Sequence, residues 1–141
     1  MVAFDDVQDE TIERLLRTAE TIAVVGLSSQ QTRPGYYVPA YLQRQGYRII
    51  PVNPNLDEAL GEQAYASLRD IPESIDVDIV QLFRRPEKVP PSVEEAIEIG
   101  ARAVWMQSGI VNREAAERAR AAGLDVVMDA CMMVEHRRRM G

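Results

Sequence analysis

Five short apolar runs, separated by segments of helical periodicity, set the limits on what this chain can become. They are Ile22–Val25, Arg48–Val52, Asp78–Phe83, Ala103–Met106 and Val126–Met128. Their apolar character is nearly continuous rather than alternating, the mark of strands covered on both faces. Between them the period changes. Ile12, Leu15, Leu16 and Ala19 predict an amphipathic helix over Val7–Glu20. A second helix carries Tyr37, Val38, Tyr41 and Leu42 and stops at Gly46, which requires Pro39 to fall in or near its first turn. A third begins near Pro90 or Ser92, with Ser92 and Glu95 at capping-box spacing, and stops at Gly100. Asn112 is placed to cap an alanine-rich helix ended by Gly123, and a short helix closes the chain. The segment Gly61–Tyr65 reads as a short edge strand, and Ser67–Ile71 as one helical turn.

Strands alternating with helices imply a parallel sheet with helices on both faces. The expected fold is therefore α/β: a Rossmann-like, doubly wound, mostly parallel sheet of five or six strands. Its 141 residues suffice for one core, with residues 21–141 as the domain and residues 1–20 as a helical extension packed on it.

Charge narrows the partners. A net charge of -6 argues against nonspecific binding to nucleic acid or an anionic membrane. The run Arg137-Arg138-Arg139 reads as a solvated helix end. The acidic start Met1–Asp6 lacks the features of a secretion signal, and no apolar stretch approaches a membrane span. The single cysteine, Cys131, admits no internal disulfide, so a cytoplasmic protein is expected. No cluster of His, Cys, Asp and Glu has metal-ligand spacing, so no metal site is expected.

In an open α/β sheet, ligands bind beyond the carboxyl ends of the strands. The candidate segments are Gly26–Gly35, Asn53–Asn55, Phe83–Pro86, Gln107–Ile110 and Asp129–Met132. The first is a strand, a glycine and a loop into a helix N-terminus, an arrangement that holds phosphate on backbone N–H groups. The dinucleotide fingerprint G-x-G-x-x-G is nonetheless absent, since Leu27, Ser28, Ser29 and Gln30 follow Gly26. Asn53 stands where a nicotinamide dinucleotide would need an acidic residue, and no P-loop motif occurs. Ser28, Ser29, Thr32 and Arg33 offer phosphate donors, although turn chemistry explains the serines equally. Arg84 and Arg85 end an inner strand; either they wait for an anion, or they pair with Glu87 or Asp78. Tyr36 and Tyr37 are placed to stack on a base, with packing on the sheet accounting for at least one.

The segments TIAVVGLS (21–28), RPGYYV (33–38), GYRIIPVNPN (46–55), FRRPE (83–87), VWMQSGIVN (104–112) and VVMDAC (126–131) together resemble the small stand-alone CoA-binding proteins. These are similar to the N-terminal CoA-binding domain of the succinyl-CoA synthetase α subunit. The resemblance spans about Thr21–His136 and implies a Rossmann variant with coenzyme A or an acyl-CoA as ligand. It implies that Gly26, Leu27, Ser28, Ser29 and Arg33 cradle a CoA phosphate. Asn53 and Pro54 would border the nucleotide, and Gln107, Ser108 and Gly109 would lie near the pantetheine arm. The first loop is poorer in glycine than the synthetase's, and Asn53-Pro54-Asn55 replaces a lysine, so Arg33, Arg84 or Arg85 would have to compensate.

The synthetase works through a phosphorylated histidine in a second domain. The single histidine here, His136, sits between Glu135 and Arg137 and reads as a surface residue. The resemblance places the thiol end of CoA near Cys131. That thiol is read either as a small buried hydrophobe or as a site of a mixed disulfide or acyl transfer. Asp129 reads as a cap for the last helix, or as a ligand acceptor. Trp105 and Met106 read as core. Three functions stay open: a CoA or acyl-CoA binding module, non-catalytic or dependent on a partner; a CoA-transfer or thioester enzyme using Cys131 or Asp129; and a regulatory protein with a vestigial pocket. A homodimer or a protein partner is compatible with each.

Overall fold

A computed structural model of the chain describes residues 4–140, with side chains described from Val7 onward. Met1-Val2-Ala3, the first half of the acidic start, and Gly141 lie outside the described residues. The chain runs α1 (Phe4–Thr18), β1 (Thr21–Val25), α2 (Pro34–Arg44), β2 (Arg48–Val52), β3 (Glu58–Ala59) and β4 (Glu62–Gln63). A 3-10 turn at Leu68–Asp70 leads to β5 (Ile79–Leu82), and another at Pro86–Lys88 to α3 (Val89–Glu98). Then come β6 (Ala103–Met106), α4 (Arg113–Ala121), β7 (Asp125–Val127) and α5 (Met132–Met140).

The main sheet is wholly parallel, in the order β2-β1-β5-β6-β7. Alternate residues along each strand feed two cores, as the two-residue strand period demands. Ile22, Val24, Ile79, Trp105 and Val127 face α1, α2 and α5, where Leu15, Leu16, Val38, Leu42 and Met132 pack on them. Ala23, Val25, Val80, Leu82 and Val104 face α3 and α4, meeting Val89, Val93, Ala96, Ala116 and Ala119. The fold is thus the expected Rossmann-like α/β arrangement, with helices on both faces of a five-stranded sheet.

Three local expectations are corrected. The Gly61–Tyr65 segment is no sixth strand: Glu62–Gln63 forms a two-residue antiparallel hairpin with Glu58–Ala59, Tyr65 joins the sheet through a bridge to Val52, and Glu62 reaches β2 by its ion pair with Arg48. Pro39 lies in the second turn of α2 rather than the first. A proline there cannot donate to the carbonyl four residues back, so Gly35 O is left free. The Ser28 N–H takes it up at 3.1 Å, and the defect in the helix closes the loop that follows β1. Ser92 and Glu95 form no capping box. The helix α3 starts at Val89 with proline in its first turn, Ser92 is buried, and Glu95 accepts the Leu68 N–H at 3.0 Å. The capping box lies instead at Ser67 and Asp70. Asn112 caps α4 as expected, accepting the Ala115 N–H at 2.9 Å.

Candidate functional site

Register lines up the strand ends. Val52, Val25, Leu82 and Met106 are lateral neighbours across β2, β1, β5 and β6. The next residue on each strand, Asn53, Gly26, Phe83 and Gln107, therefore forms one row along the carboxyl edge. The connection order reverses between β1 and β5, and a crevice opens at that switch point.

Two adjoining hollows occupy this edge and share Gly26 and Arg84. The larger, about 570 Å³, is lined by Ser28, Arg33, Arg84, Arg85, Gln107 and Cys131 among others. The smaller, about 300 Å³, lies beside Asn53, Pro54, Ser67, Ser92 and Glu95. Both are within the size range of small-molecule sites.

The crevice depends on two close backbone approaches. Gly26 has φ +85°, and a Cβ there would stand 2.5 Å from Phe83 O on the neighbouring strand. At Gly35 a Cβ would meet Gly26 O at 3.2 Å. Gly35 thus lets α2 pack tightly against the end of β1, the service that the third glycine of G-x-G-x-x-G performs. It stands nine positions after Gly26 instead of five. Fixed spacing hides it in the sequence; the cue was a glycine directly after the helix-opening Pro34.

The N-terminus of α2 lacks a side-chain cap, and its first turn carries no acidic residue. Its positive dipole end therefore has neither a side-chain cap nor a carboxylate to offset it. Ser28 is occupied in part by turn chemistry, its Oγ accepting the Gln30 N–H at 3.0 Å. Asn53 braces the loop from the other side, donating from Nδ2 to Leu27 O at 2.9 Å. The Leu27 side chain is buried in the core, so only its backbone serves the edge. Ser29 is exposed and does not line either hollow, and Gly109 lies beside the larger one without lining it. Tyr37 lines the larger hollow and is exposed, whereas Tyr36 is half-buried.

Arg33, Arg84 and Arg85 are exposed at this rim, and none forms an ion pair among the described residues. The expected alternative for Arg84 and Arg85 is removed. Asp78 sits at the opposite end of β5, where it pairs with Arg102 and accepts the Glu20 and Thr21 N–H groups. Three cations without an ion pair among the described residues give this rim a local positive charge on an otherwise acidic chain.

The far wall is built from buried amides. Gln81 Nε2 donates to Gln107 Oε1 at 3.0 Å, and the Met132 N–H at the start of α5 donates to the same oxygen at 3.1 Å. Because a backbone N–H can only donate, it fixes the Gln107 orientation: Oε1 inward, Nε2 left over. Gln81 Oε1 is consequently buried without a partner among the described residues. Gln107 therefore does what Asp129 was expected to do for α5. Asp129, held at φ +55°, accepts the Gly109 N–H at 2.6 Å and ties the loop after β6 to the loop after β7. Cys131 is half-buried in the cleft wall rather than sunk in the core.

His136 is no surface residue. It is 5% exposed, its Nδ1 lies 2.8 Å from the Tyr41 hydroxyl, and its ring meets the Tyr41 and Tyr47 rings edge-on. Burial holds its pKa below the ordinary histidine value. Its role is to dock α5 on α2; it lines neither hollow.

A parallel sheet with this strand order, a glycine-narrowed loop at the switch point and a cationic cleft define a Rossmann-like domain. The match to the CoA binding domain family over residues 20–137 is then specific, and the chain belongs to that family. It is 45% identical over 125 residues to the protein YneT of Bacillus subtilis, covering 89% of this chain and 91% of that one. It superimposes on a hypothetical protein from Pyrococcus horikoshii OT3 with TM-score 0.92 and 40% identity, covering 100% of this chain and 98% of that one. It is also 36% identical over 76 residues to the ADP-forming acetate–CoA ligase II of Archaeoglobus fulgidus. That match covers 52% of this chain and 11% of the ligase. Among the described residues, no helix is long and apolar enough to cross a membrane.

Proposed function

We propose that this chain binds coenzyme A or an acyl-CoA along the carboxyl edge of its sheet and acts as a CoA-holding module rather than a complete ligase. The observation that carries this reading is the convergence of Arg33, Arg84 and Arg85 on the uncapped start of α2, with no ion pair among the described residues. CoA carries a diphosphate and a 3′-phosphate, and arginine forks with backbone amides suit both. In this arrangement the nucleotide lies toward Asn53 and Pro54. The diphosphate sits over Gly26 and Ser28, and the pantetheine arm extends past Gln107 and Ser108 toward Cys131.

A role in ligation would come from a partner chain. The ADP-forming ligases among the relatives are far longer, and this chain spans 11% of the Archaeoglobus fulgidus ligase II. Asp129 is committed to the Gly109 N–H, which favours a structural role over a catalytic one. Calorimetric titration with CoA, acetyl-CoA, ADP and NAD⁺ under reducing conditions tests the reading. Micromolar or tighter CoA binding is expected, with NAD⁺ inert. Replacing Arg33 by alanine should weaken CoA binding about 10- to 100-fold, the loss of one charge-assisted contact. A folded protein that gives neither heat nor thermal shift with CoA would overturn it.

A further inference from the structure

We infer that Cys131 is a covalent capture site for the thiol end of CoA, forming a mixed disulfide by exchange with CoA disulfide. This rests on the CoA-binding reading and goes beyond it, because it assigns a redox step to a residue outside the phosphate site. Three independent features of the cleft point to it.

The first is position. Cys131 lines the same cleft as Arg33 and Arg85. A ligand anchored by its phosphates on the arginines extends its other end along this wall. The second is fixation. Cys131 directly precedes α5, its carbonyl accepts the Glu135 N–H at 3.0 Å, and the next N–H is held by Gln107 Oε1 at 3.1 Å. The thiol is therefore presented from ordered backbone, half-buried beside the apolar side chains of Met133 and Val134.

The third concerns Gln107. It is 4% exposed and lines the cleft, and its Nε2 donates to no group among the described residues. That nitrogen is not sealed from solvent, so a ligand entering the cleft can supply its acceptor. An amide carbonyl is the complementary group, and the arm that joins the CoA phosphates to its thiol contains two. Gln107 thus reads the segment immediately before the sulfur, and Cys131 stands where the sulfur arrives.

The step balances without any further reagent. Cys131 loses its proton to solvent, and its thiolate attacks one sulfur of CoA disulfide. The new S–S bond forms as the old one breaks, and one CoA leaves as thiolate. Cys131 is oxidised to the mixed disulfide as the departing CoA is reduced. A second thiol reverses it, so the protein stores or protects CoA under oxidising stress.

The test is intact-mass spectrometry of the reduced protein after timed exposure to CoA disulfide or to glutathione disulfide, beside the CoA titration. The chain has a single cysteine, so any adduct is assigned without ambiguity. The expected result is one CoA per chain, released by dithiothreitol and formed at least tenfold faster than the glutathione adduct, with no adduct on Cys131→Ser. Gln107→Glu keeps an oxygen for Met132 and Gln81 but deletes the donor. Its added charge acts on the Cys131 thiolate in both reactions, so the readout is their ratio, and the preference for CoA disulfide over glutathione disulfide should fall. CoA binding without an adduct, or equal rates for the two disulfides, would overturn the capture site and leave the binding reading intact. No CoA binding and no adduct would overturn both.

Discussion

Adding one methyl group at Gly26 should damage the fold much more than the same change at Gly61, although both glycines have positive φ. At Gly61, φ is +78° and nothing lies within 4 Å of the new Cβ, so only the left-handed backbone is penalised. That penalty is about 1–2 kcal/mol, offset by about 0.4–1 kcal/mol from the stiffer unfolded chain. Gly61→Ala should therefore cost about 1 kcal/mol or less. At Gly26, φ is +85° and the Cβ would stand 2.5 Å from Phe83 O, a backbone atom that cannot rotate away. Forced overlap in a packed region adds about 1–3 kcal/mol. Gly26→Ala should then cost about 2–4 kcal/mol, and β1 and β5 must part where the proposed diphosphate sits. Urea unfolding of the two variants and the parent, followed by circular dichroism, measures both. Unfolding free energies of the two variants that agree within about 0.5 kcal/mol would refute the argument, because the close approach would then carry no energetic weight.

Other expectations follow from the same geometry. Gln81→Leu removes an orphaned buried oxygen and should be neutral or stabilising, whereas Gln107→Leu removes the acceptor of the Met132 N–H and should cost about 1–3 kcal/mol in thermal or urea unfolding. Asp129→Ala loses the bond to Gly109 while keeping a left-handed backbone, and should destabilise by about 1–3 kcal/mol; Asp129→Asn should cost less by the same assay. Because burial lowers the His136 pKa below 6.5, the unfolded chain takes up the proton first as pH falls. Stability should therefore be full above neutrality and decline as acidification passes about pH 6.5 toward the lower folded value. Unfolding curves between pH 5 and 8 should lose that part of the slope in His136→Phe; an unchanged slope would assign it to the carboxylates.

The sequence by itself determined the layers of this protein and the places where its loops fall. Near-continuous apolar runs such as Ile22–Val25 and Ala103–Met106 can only be strands buried on both faces, and turn residues mark their ends. Those signals are local, so they survive without knowledge of any neighbour. The same locality explains the failures at Ser92, where capping-box spacing was outweighed by burial, and at Gly61–Tyr65, where a hairpin replaced an edge strand. His136 looked solvated from its charged neighbours because one helical turn presents opposite faces, and only docking on Tyr41 and Tyr47 selected which face was buried.

The cleft belongs to the tertiary structure alone. Arg33, Arg85, Gln107 and Cys131 come from four separate connections, and they line one wall because the strand order is β2-β1-β5-β6-β7. That order is set by which helix faces find apolar partners across the sheet, and no run of adjacent residues encodes it. The spare carbonyl of Gly35, the stray donor of Gln107 and the unpaired state of Arg84 likewise exist only once distant groups have claimed, or failed to claim, their partners. Hydrogen-bond satisfaction is a property of the folded whole, and so the site's chemistry appears only there.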